Sequence, residues 1–474
     1  MGGGGGKGGS KSTVVGYWYA LDIHFVPCLR MDRLRAVRVG EKLAWSGAQA
    51  DGAIAIDRMD LFGGEKKEGG LGGTLQVLLG GATQAQNAIL AALGGAYTPA
   101  FRDVVSIVWS GWLAALNPYP KPWEFLCENA ADTWYPAKAY ITDAQGLRHA
   151  NPAHVIREWI IDDEIGLGWD SWSIDETSFQ AAADTLYAEG MSMCGEFSFQ
   201  GDVKKYITAM EEYIDGRVYT DPATGLWTIT LFRADYDAAE LEEFGPSDII
   251  EVVDFSRRLW AEVTNQVTVT YKHRHITDGN VDGSITRANP ATIALQGRIV
   301  PETVDYPYCP TPEIADKLCW RELSKRGYPL ASMRIKCLRT MSHLLPGKPI
   351  RFTWSDFGLE GTVMRVLTIN WGTPQDGTVE MTLVEDIFGL DHQVVTTPTP
   401  SEWSSPVNDP APSPYRKLVE VPYYVLVRQI TGTNEALLAG YDQYSGVLAV
   451  LANKPTSDAM GYDLHVLTSE GYVF

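Results

Sequence analysis

The sequence predicts a β-rich α+β protein built from several domains. Three features carry this. Most of the chain reads as short runs dense in β-branched and aromatic residues, a helical period takes over near residue 151 and again near 312, and a proline-rich stretch precedes the final segment. A length of 474 residues corresponds to about three domains, since domains run to roughly 100–200 residues each. A hydrophobic fraction of 45% with 21% charged residues is enough for more than one core.

Residues 1–150 read as a first β domain behind a glycine-rich arm. Val14 to Val26 and Ala36 to Trp45 are strand-like, with Gly40-Glu41-Lys42 placed to turn a hairpin. Gly63 to Gly73 holds six glycines and reads as a loop. Thr83-Gln84-Ala85-Gln86 fits a capping box for a helix carrying Ile89, Leu90 and Leu93, which Gly94 ends. Val104 to Trp112 predicts a buried strand.

Residues 151–240 read as a helical insertion closed by a hairpin. Asn151 before Pro152 is an N-cap with proline at the first helical position, and Val155, Ile156, Trp159 and Ile160 form one stripe. A second helix spans Glu176 to Glu189, with Phe179, Ala183, Leu186 and Tyr187 inward. A third spans Val203 to Asp215 and carries Tyr206, Ile207, Met210 and Ile214. Arg217–Thr220 and Leu226–Phe232 flank the turn residues Asp221, Pro222 and Gly225.

Residues 241–395 read as a second β domain. Val263, Val267, Val269 and Tyr271 alternate with polar residues, Thr311-Pro312 opens a helix with Ile314, Leu318 and Leu323 inward, and Val363, Leu367, Ile369 and Trp371 alternate along a strand. Asp376-Gly377 turns that strand back into Val379, Met381 and Leu383. Residues 396–414 are a semi-rigid proline-rich linker. Residues 415–474 form a C-terminal β module that reads as incomplete, ending on the apolar run Tyr472-Val473-Phe474.

The 39 basic and 59 acidic residues leave a net charge of -20, which disfavours nonspecific nucleic-acid binding and adsorption to anionic membranes. The first twelve residues have no apolar stretch behind them and are no signal peptide. The most apolar window, Val104 to Leu116, is shorter than the ~20 residues a membrane helix needs. A soluble protein made in a reducing compartment is expected. Cys28, Cys127, Cys194, Cys309, Cys319 and Cys337 show no Cys-x-x-Cys spacing and read as buried small hydrophobes.

Each candidate for chemistry has a plainer alternative. Lys11-Ser12 after a glycine run suggests a phosphate loop, but Ser10 stands where glycine is needed and no strand precedes it. The arm is expected to order against a neighbouring subunit. Asp278, Asn280 and Asp282, with Gly283 and Ile285, match the first half of a calcium loop. Its twelfth position is Asn289, which lacks the bidentate carboxylate, so two Asx-Gly turns between strands are the simpler reading. His273 and His275 share a strand face but have no third ligand, so an exposed polar edge is expected. Asp162-Asp163-Glu164 and Glu242-Glu243 read as solvated faces. No cofactor, metal site or catalytic residue is expected. The 15 tryptophans, Trp45, Trp109, Trp112, Trp123, Trp134, Trp159, Trp169 and Trp172 among them, favour an oligomer.

Several stretches resemble the central hub, or tip attachment protein, of long-tailed bacteriophages and gene transfer agents. They are the arm running into Val15-Gly16-Tyr17, Leu61 to Gly70, Asn117-Pro118-Tyr119, Lys121-Pro122-Trp123, Trp134 to Lys138, Asn151 to His154, Ile214-Asp215-Gly216, Asp254 to Arg257, Asn265 to Val269 and Glu385 to Leu390. They occur in order over roughly residues 1–395. The resemblance implies a homotrimeric, non-enzymatic baseplate hub at the virion tail tip, assembled in the bacterial host cytoplasm. It implies two tube-like β-barrel domains per chain, giving a pseudo-sixfold face toward the distal tail protein ring. The tape-measure protein and tail fibre or tip proteins would be partners, and DNA would pass through the lumen at ejection without specific binding. A tail-borne cell-envelope hydrolase, or a receptor- or carbohydrate-binding module in Tyr415 to Phe474, are the alternatives.

Overall fold

The structure is a computed structural model that describes residues 16–64, 67–95, 97–115, 121–197, 202–373, 375, 377–389, 415–425, 448–453, 466–468 and 471–473. The chain divides into two units, residues 1–393 and 394–474. The arm with Lys11-Ser12, the whole 396–414 linker stretch, Asn117 to Tyr119, Asp376 and Phe474 lie outside the described residues.

The first unit is β-rich α+β and contains three cores. The first core belongs to a seven-stranded open barrel. Its strands are β1 (Tyr17–Phe25), β2 (Arg33–Val39), β3 (Lys42–Gln49), β4 (Gly52–Arg58), β5 (Leu71–Leu78), β6 (Ser106–Ala115) and β7 (Trp123–Glu128). They pair as β1-β6-β5-β4 and β3-β2-β7. Gly40 and Glu41 turn β2 into β3 with φ of 54° and 64°, the left-handed pair that a two-residue hairpin requires. The barrel is open at two seams, since no ladder joins β1 to β7 or β3 to β4. Phe25 fills the first of them, its ring 5.3 Å from Trp123 and 5.0 Å from Phe125. Inside lie Leu34, Leu71, Leu75, Ile107, Trp109 and Leu113.

Two expectations change here. The glycine run ends sooner than expected, since Leu71, Gly72 and Gly73 already belong to β5. Helix α1 (Ala88–Gly94) starts at Asn87, whose Oδ1 accepts from the backbone N–H of Ile89 and Leu90. The capping box at Thr83 is displaced because Gln84 is used elsewhere. It accepts from Gly80 N–H and donates to the Ala100 and Phe101 carbonyls, holding the turn before the helix. Leu90 packs inward, while Leu93 is exposed.

The second core is helical on one side and a sheet on the other. The hairpin β8 (Tyr140–Thr142) and β9 (Arg148–Ala150) leads into α2 (Pro152–Ile161), α3 (Glu176–Ala188) and α4 (Val203–Ile214), followed by the hairpin β10 (Gly216–Thr220) and β11 (Trp227–Leu231). Asn151 caps α2 as expected, and its amide also donates to the Lys138 and Ala183 carbonyls from a fully buried position. Tyr187 does not turn inward. It stays exposed, with Lys138 Nζ 4.2 Å above its ring.

After β12 (Glu243–Phe244) and β13 (Ile249–Arg257) the chain returns to this core. It forms the sheet β15-β14-β16 from β14 (Gln266–His275), β15 (Gly279–Ala288) and β16 (Pro301–Tyr306), with α5 (Pro290–Gln296) between and α6 (Pro312–Arg326) behind. Val267 and Val269 of β14 and Leu318 and Cys319 of α6 bury against Ile156, Phe179, Leu186 and Met210 of the helices. Segment 151–240 therefore shares one core with residues 267–323.

The third core fills a six-stranded sheet of order β12-β18-β19-β20-β17-β13, completed by β17 (Ala331–Leu338), β18 (Pro349–Trp354), β19 (Leu359–Asn370) and β20 (Thr378–Glu385). Its two edge strands, β12 and β13, are chain neighbours, which curls the sheet toward closure. Val379, Met381 and Leu383 alternate inward on β20 as expected. On β19 the simple alternation fails. A register shift between Val366 and Thr368 changes the phase, so Met364 and Val366 are fully buried and Leu367 and Ile369 only partly.

The second unit contains two described hairpins, β21 (Arg416–Glu420) with β22 (Leu448–Ala452), and β23 (Val466–Thr468) with β24 (Gly471–Val473).

Candidate functional site

The calcium-loop residues do not form a loop. Asn280 and Asp282 lie within β15, paired opposite Arg274 and Lys272, and Asp278 ends the turn, where its carboxylate meets His275 Nδ1 at 3.1 Å. Only one Asx-Gly turn exists here, because Asp282-Gly283 continues the strand. Gly283 is needed for close approach, since a Cβ there would stand 2.5 Å from the Tyr271 ring. Among the described residues no group of three His, Cys, Asp or Glu side chains could hold a metal ion.

His273 and His275 lie 6.0 Å apart edge to face, yet their hairpin is no free polar edge. Gln145 donates to the Arg274 carbonyl and accepts from Ile276 N–H, and Gly279 sits against Arg38 and Glu124 of the open barrel. The hairpin tip thus docks on the first core's strands. Three cysteines are buried as expected, Cys309, Cys319 and Cys337, whereas Cys28, Cys127 and Cys194 are only partly so, and all six are free thiols.

The acidic runs separate by residue. Asp162 is buried, accepts from the Glu164 and Ile165 backbone N–H groups and pairs with Arg30, so it is a structural cap rather than a solvated group. Asp163 and Glu164 are exposed. At the third core's rim Glu242 bonds the His343 ring and pairs with Lys348, and Glu243 pairs with Arg351.

A dense set of ionisable groups among the described residues was not foreseen from the sequence. It lines a cleft of about 520 Å³ between the second and third cores, with Glu211, Asp215, Arg217, Arg258, Tyr306, Glu322, Lys325 and Arg326 on its walls. The residues come from α4 and its C-cap, β10, the turn after β13, β16 and α6, elements up to about a hundred residues apart in sequence, so no local spacing reveals them. Arg321, beside the cleft, donates to the Glu212 and Tyr213 carbonyls at 3.0 and 2.7 Å. This places its cation on the carboxyl end of α4, where the helix dipole favours it. Glu322 accepts from Tyr306 at 2.8 Å and from Arg326 at 3.0 Å, and Lys325 Nζ meets Asp215 at 2.6 Å.

Electrostatics divides the two buried glutamates. Burial pushes the Glu322 carboxyl up, but the Lys325 and Arg321 charges with the Tyr306 and Arg326 bonds outweigh it and hold it below the usual range. For Glu211 burial prevails over the Val218 N–H and Arg217, and its carboxyl is raised. Glu322 is therefore ionised in the folded chain at pH values where an unfolded chain's glutamate, near about 4.3, already takes a proton. Its stabilisation is present above that value and lost as pH falls through the lower folded pKa. The expected result is a Tm that drops on acidification below about pH 4.3 and a Glu322→Gln variant whose Tm drops less steeply. Glu211→Gln should leave that slope in place, because a raised carboxyl favours folding as it protonates. Thermal melts across pH 3 to 6 check both, and equal slopes for Glu322→Gln and the parent chain would refute the assignment. Every acid on these walls that makes a described bond is matched by a base or a backbone N–H, which suits a cross-brace between layers better than general acid–base work.

No helix among the described residues is long and apolar enough to cross a membrane. Large apolar side chains are nonetheless exposed in groups, including Trp18, Trp112, Trp169, Trp172 and Trp260.

No family model matches the sequence, and no curated protein matches it. Among solved structures, a chain of the native gene transfer agent virion is similar at 14% identity with a TM-score of 0.47, covering 77% of this chain and 78% of that one. A tail protein from Neisseria meningitidis is similar at 11% identity and a TM-score of 0.33, over 75% of this chain and 98% of that one. The 43 kDa tail protein of a Shewanella oneidensis prophage gives 11% identity and a TM-score of 0.27, over 80% of this chain and 92% of that one. Similarity of this degree transfers no role from those proteins to this chain.

Proposed function

We propose that this chain is a structural protein of a phage-type tail, acting as the central hub at its distal tip. The observation that carries the reading is internal to the chain. Two β units, each with its own apolar core, accompany a helix-and-sheet core within one compact body. Three copies would present six such units, matching a sixfold ring of tail-tube subunits. The ordered hub-like stretches from Val15 to Leu390 point the same way. Exposed tryptophans supply surface for assembly, since they bury much area at modest entropic cost. The distal tail ring, the tape-measure protein and fibre or tip proteins are the proposed partners, and the net charge of -20 suits a channel through which DNA slides without adhering. The role is architectural and not catalytic.

Light scattering of the purified chain, alone and mixed with its neighbouring ring protein, tests this. A trimer that binds the ring is the expected result. A strict monomer that ignores the ring would overturn the hub, and gold-labelled antibodies on whole particles would show whether the chain lies at the tail tip.

A further inference from the structure

We propose that a second copy of this chain docks head to tail through two complementary patches. The acidic tryptophan turn of residues 163–174 on one copy seats on the arginine-bearing apolar surface of residues 258–260 and 295–299 on the next. The inference rests on the reading of the chain as an oligomeric hub and names the surfaces that would join its copies.

The apolar surface is assembled by specific bonds. Gln296, at the end of α5, donates to the Trp260 and Val263 carbonyls, and Arg298 donates to the Ala261 carbonyl at 3.1 Å. These bonds hold the turn after α5 against the turn after β13. The result displays Leu295 at 71% exposure, Leu259 at 65%, Ile299 at 56% and Trp260 at 48%. Such a group on a folded surface marks a place that another surface covers. Trp260 is held in place edge to face by Tyr328 at 6.1 Å. Arg258 and Arg298 border the patch, both exposed, and the Arg258 side chain makes no bond to any described residue. Glu262 also borders the patch, its carboxylate accepting from the Leu259 N–H at 3.4 Å, so two arginines face one glutamate and the border keeps a positive excess on a chain whose net charge is -20.

Its complement lies on the same chain. Between Asp162 and Glu176 there are six acidic residues and no basic one. Trp172 is 75% exposed and Trp169 is 50% exposed, the latter steadied by Trp227 at 6.0 Å. The carboxylates of Asp163 and Asp170 are exposed and accept no bond from described residues. Arginine fits such a surface in two ways, by pairing with carboxylates and by stacking on indole faces. The complementarity is local: a turn of six acids and no base faces a patch bordered by Arg258 and Arg298, and this opposite charge makes the basic patch of a second copy the occupant. Because the two surfaces differ, their contact is heterologous, and successive copies close into a ring where the rotation permits.

Charge exchange tests the pairing. Arg258→Glu with Arg298→Glu, and separately Asp163→Arg with Asp170→Arg, should each weaken self-association by about tenfold or more in sedimentation velocity. All four changes in one chain should restore association to within about threefold of the parent, since each interface then regains opposite charges. Circular dichroism and Tm confirm folding, as all four sites are on the surface. A parent chain that assembles while ignoring both reversals, or a quadruple variant no better than either pair, overturns this interface and leaves the hub reading standing. A parent chain that stays monomeric at high concentration overturns both.

Discussion

Replacing Asp386 by alanine should cost the first unit about 3–5 kcal/mol, because it strands Arg365 as a buried cation without its partner. The side chains are 4% and 6% exposed, and the carboxylate receives Arg365 Nη2 at 2.6 Å and Nε at 3.0 Å. The same oxygen accepts from the Tyr236 hydroxyl at 2.9 Å. Arg365 also donates to the Gly347 and Arg233 carbonyls, both at 2.9 Å, and lies over the Phe232 and Tyr236 rings. One ion pair thus joins β19, the turn before β18, the end of β20 and the strap 232–236 that enters from the second core. Burial, with the nearby Asp386 charge, raises the Tyr236 hydroxyl above its ordinary value, so it stays a donor throughout the working pH range. Denaturant unfolding followed by tryptophan fluorescence measures the loss. The double change Arg365→Met with Asp386→Leu should recover most of it, as apolar replacements of a buried pair often do. A loss below about 1 kcal/mol for Asp386→Ala would mean that water reaches the pair in the native chain.

That pair illustrates what the sequence does and does not make visible. Elements with local signatures are legible: Asn151-Pro152 starts α2, Thr311-Pro312 starts α6, and Gly40-Glu41 turns the first hairpin, because each signal acts within a few residues. The β-rich α+β class follows from the same periodicities. Sites assembled across long separations are not legible in this way. Arg365 with Asp386, Arg321 on the end of α4, and Lys325 with Asp215 look like ordinary charges in an acidic chain until the fold brings them together. The misread features failed for the same reason. Asp278, Asn280 and Asp282 have the spacing of a cation loop, but their register against β14 decides their geometry, and register is a property of the pair of strands. The phase of β19 depends likewise on a bulge against β20, which nothing within Val363 to Trp371 encodes. Asp162 looks like part of a charged surface run and is instead a buried cap, because Arg30 arrives from a segment 132 residues away. For this chain, local chemistry sets where elements begin, and pairing between distant elements sets which charges become structural.

The second large effect is expected in the open barrel, at Trp109. This indole is fully buried and is the largest of the wholly enclosed side chains among the described residues. Its place depends on two glycines that face each other across β5 and β6, Gly73 and Gly111. A Cβ on either would stand 2.9 Å from the indole Cζ2 atom, and at Gly111 it would also stand 2.5 Å from the Gly72 carbonyl oxygen. The absent side chains therefore form the slot in which the ring lies, and from there it meets Trp123 of β7 at 5.3 Å and spans the barrel to the other sheet. Trp109→Ala removes that span and should cost about 3–5 kcal/mol, the range for deleting a large aromatic from a core. Gly111→Ala should cost about 1–3 kcal/mol by overpacking, since both the enclosed indole and the β5 backbone stand in the way. The combination should cost less than the sum, because a chain without the indole has room for the methyl against the vacated ring position. Strict additivity of the two losses in denaturant unfolding would show that the Gly72 carbonyl, and not Trp109, is what requires glycine at this position.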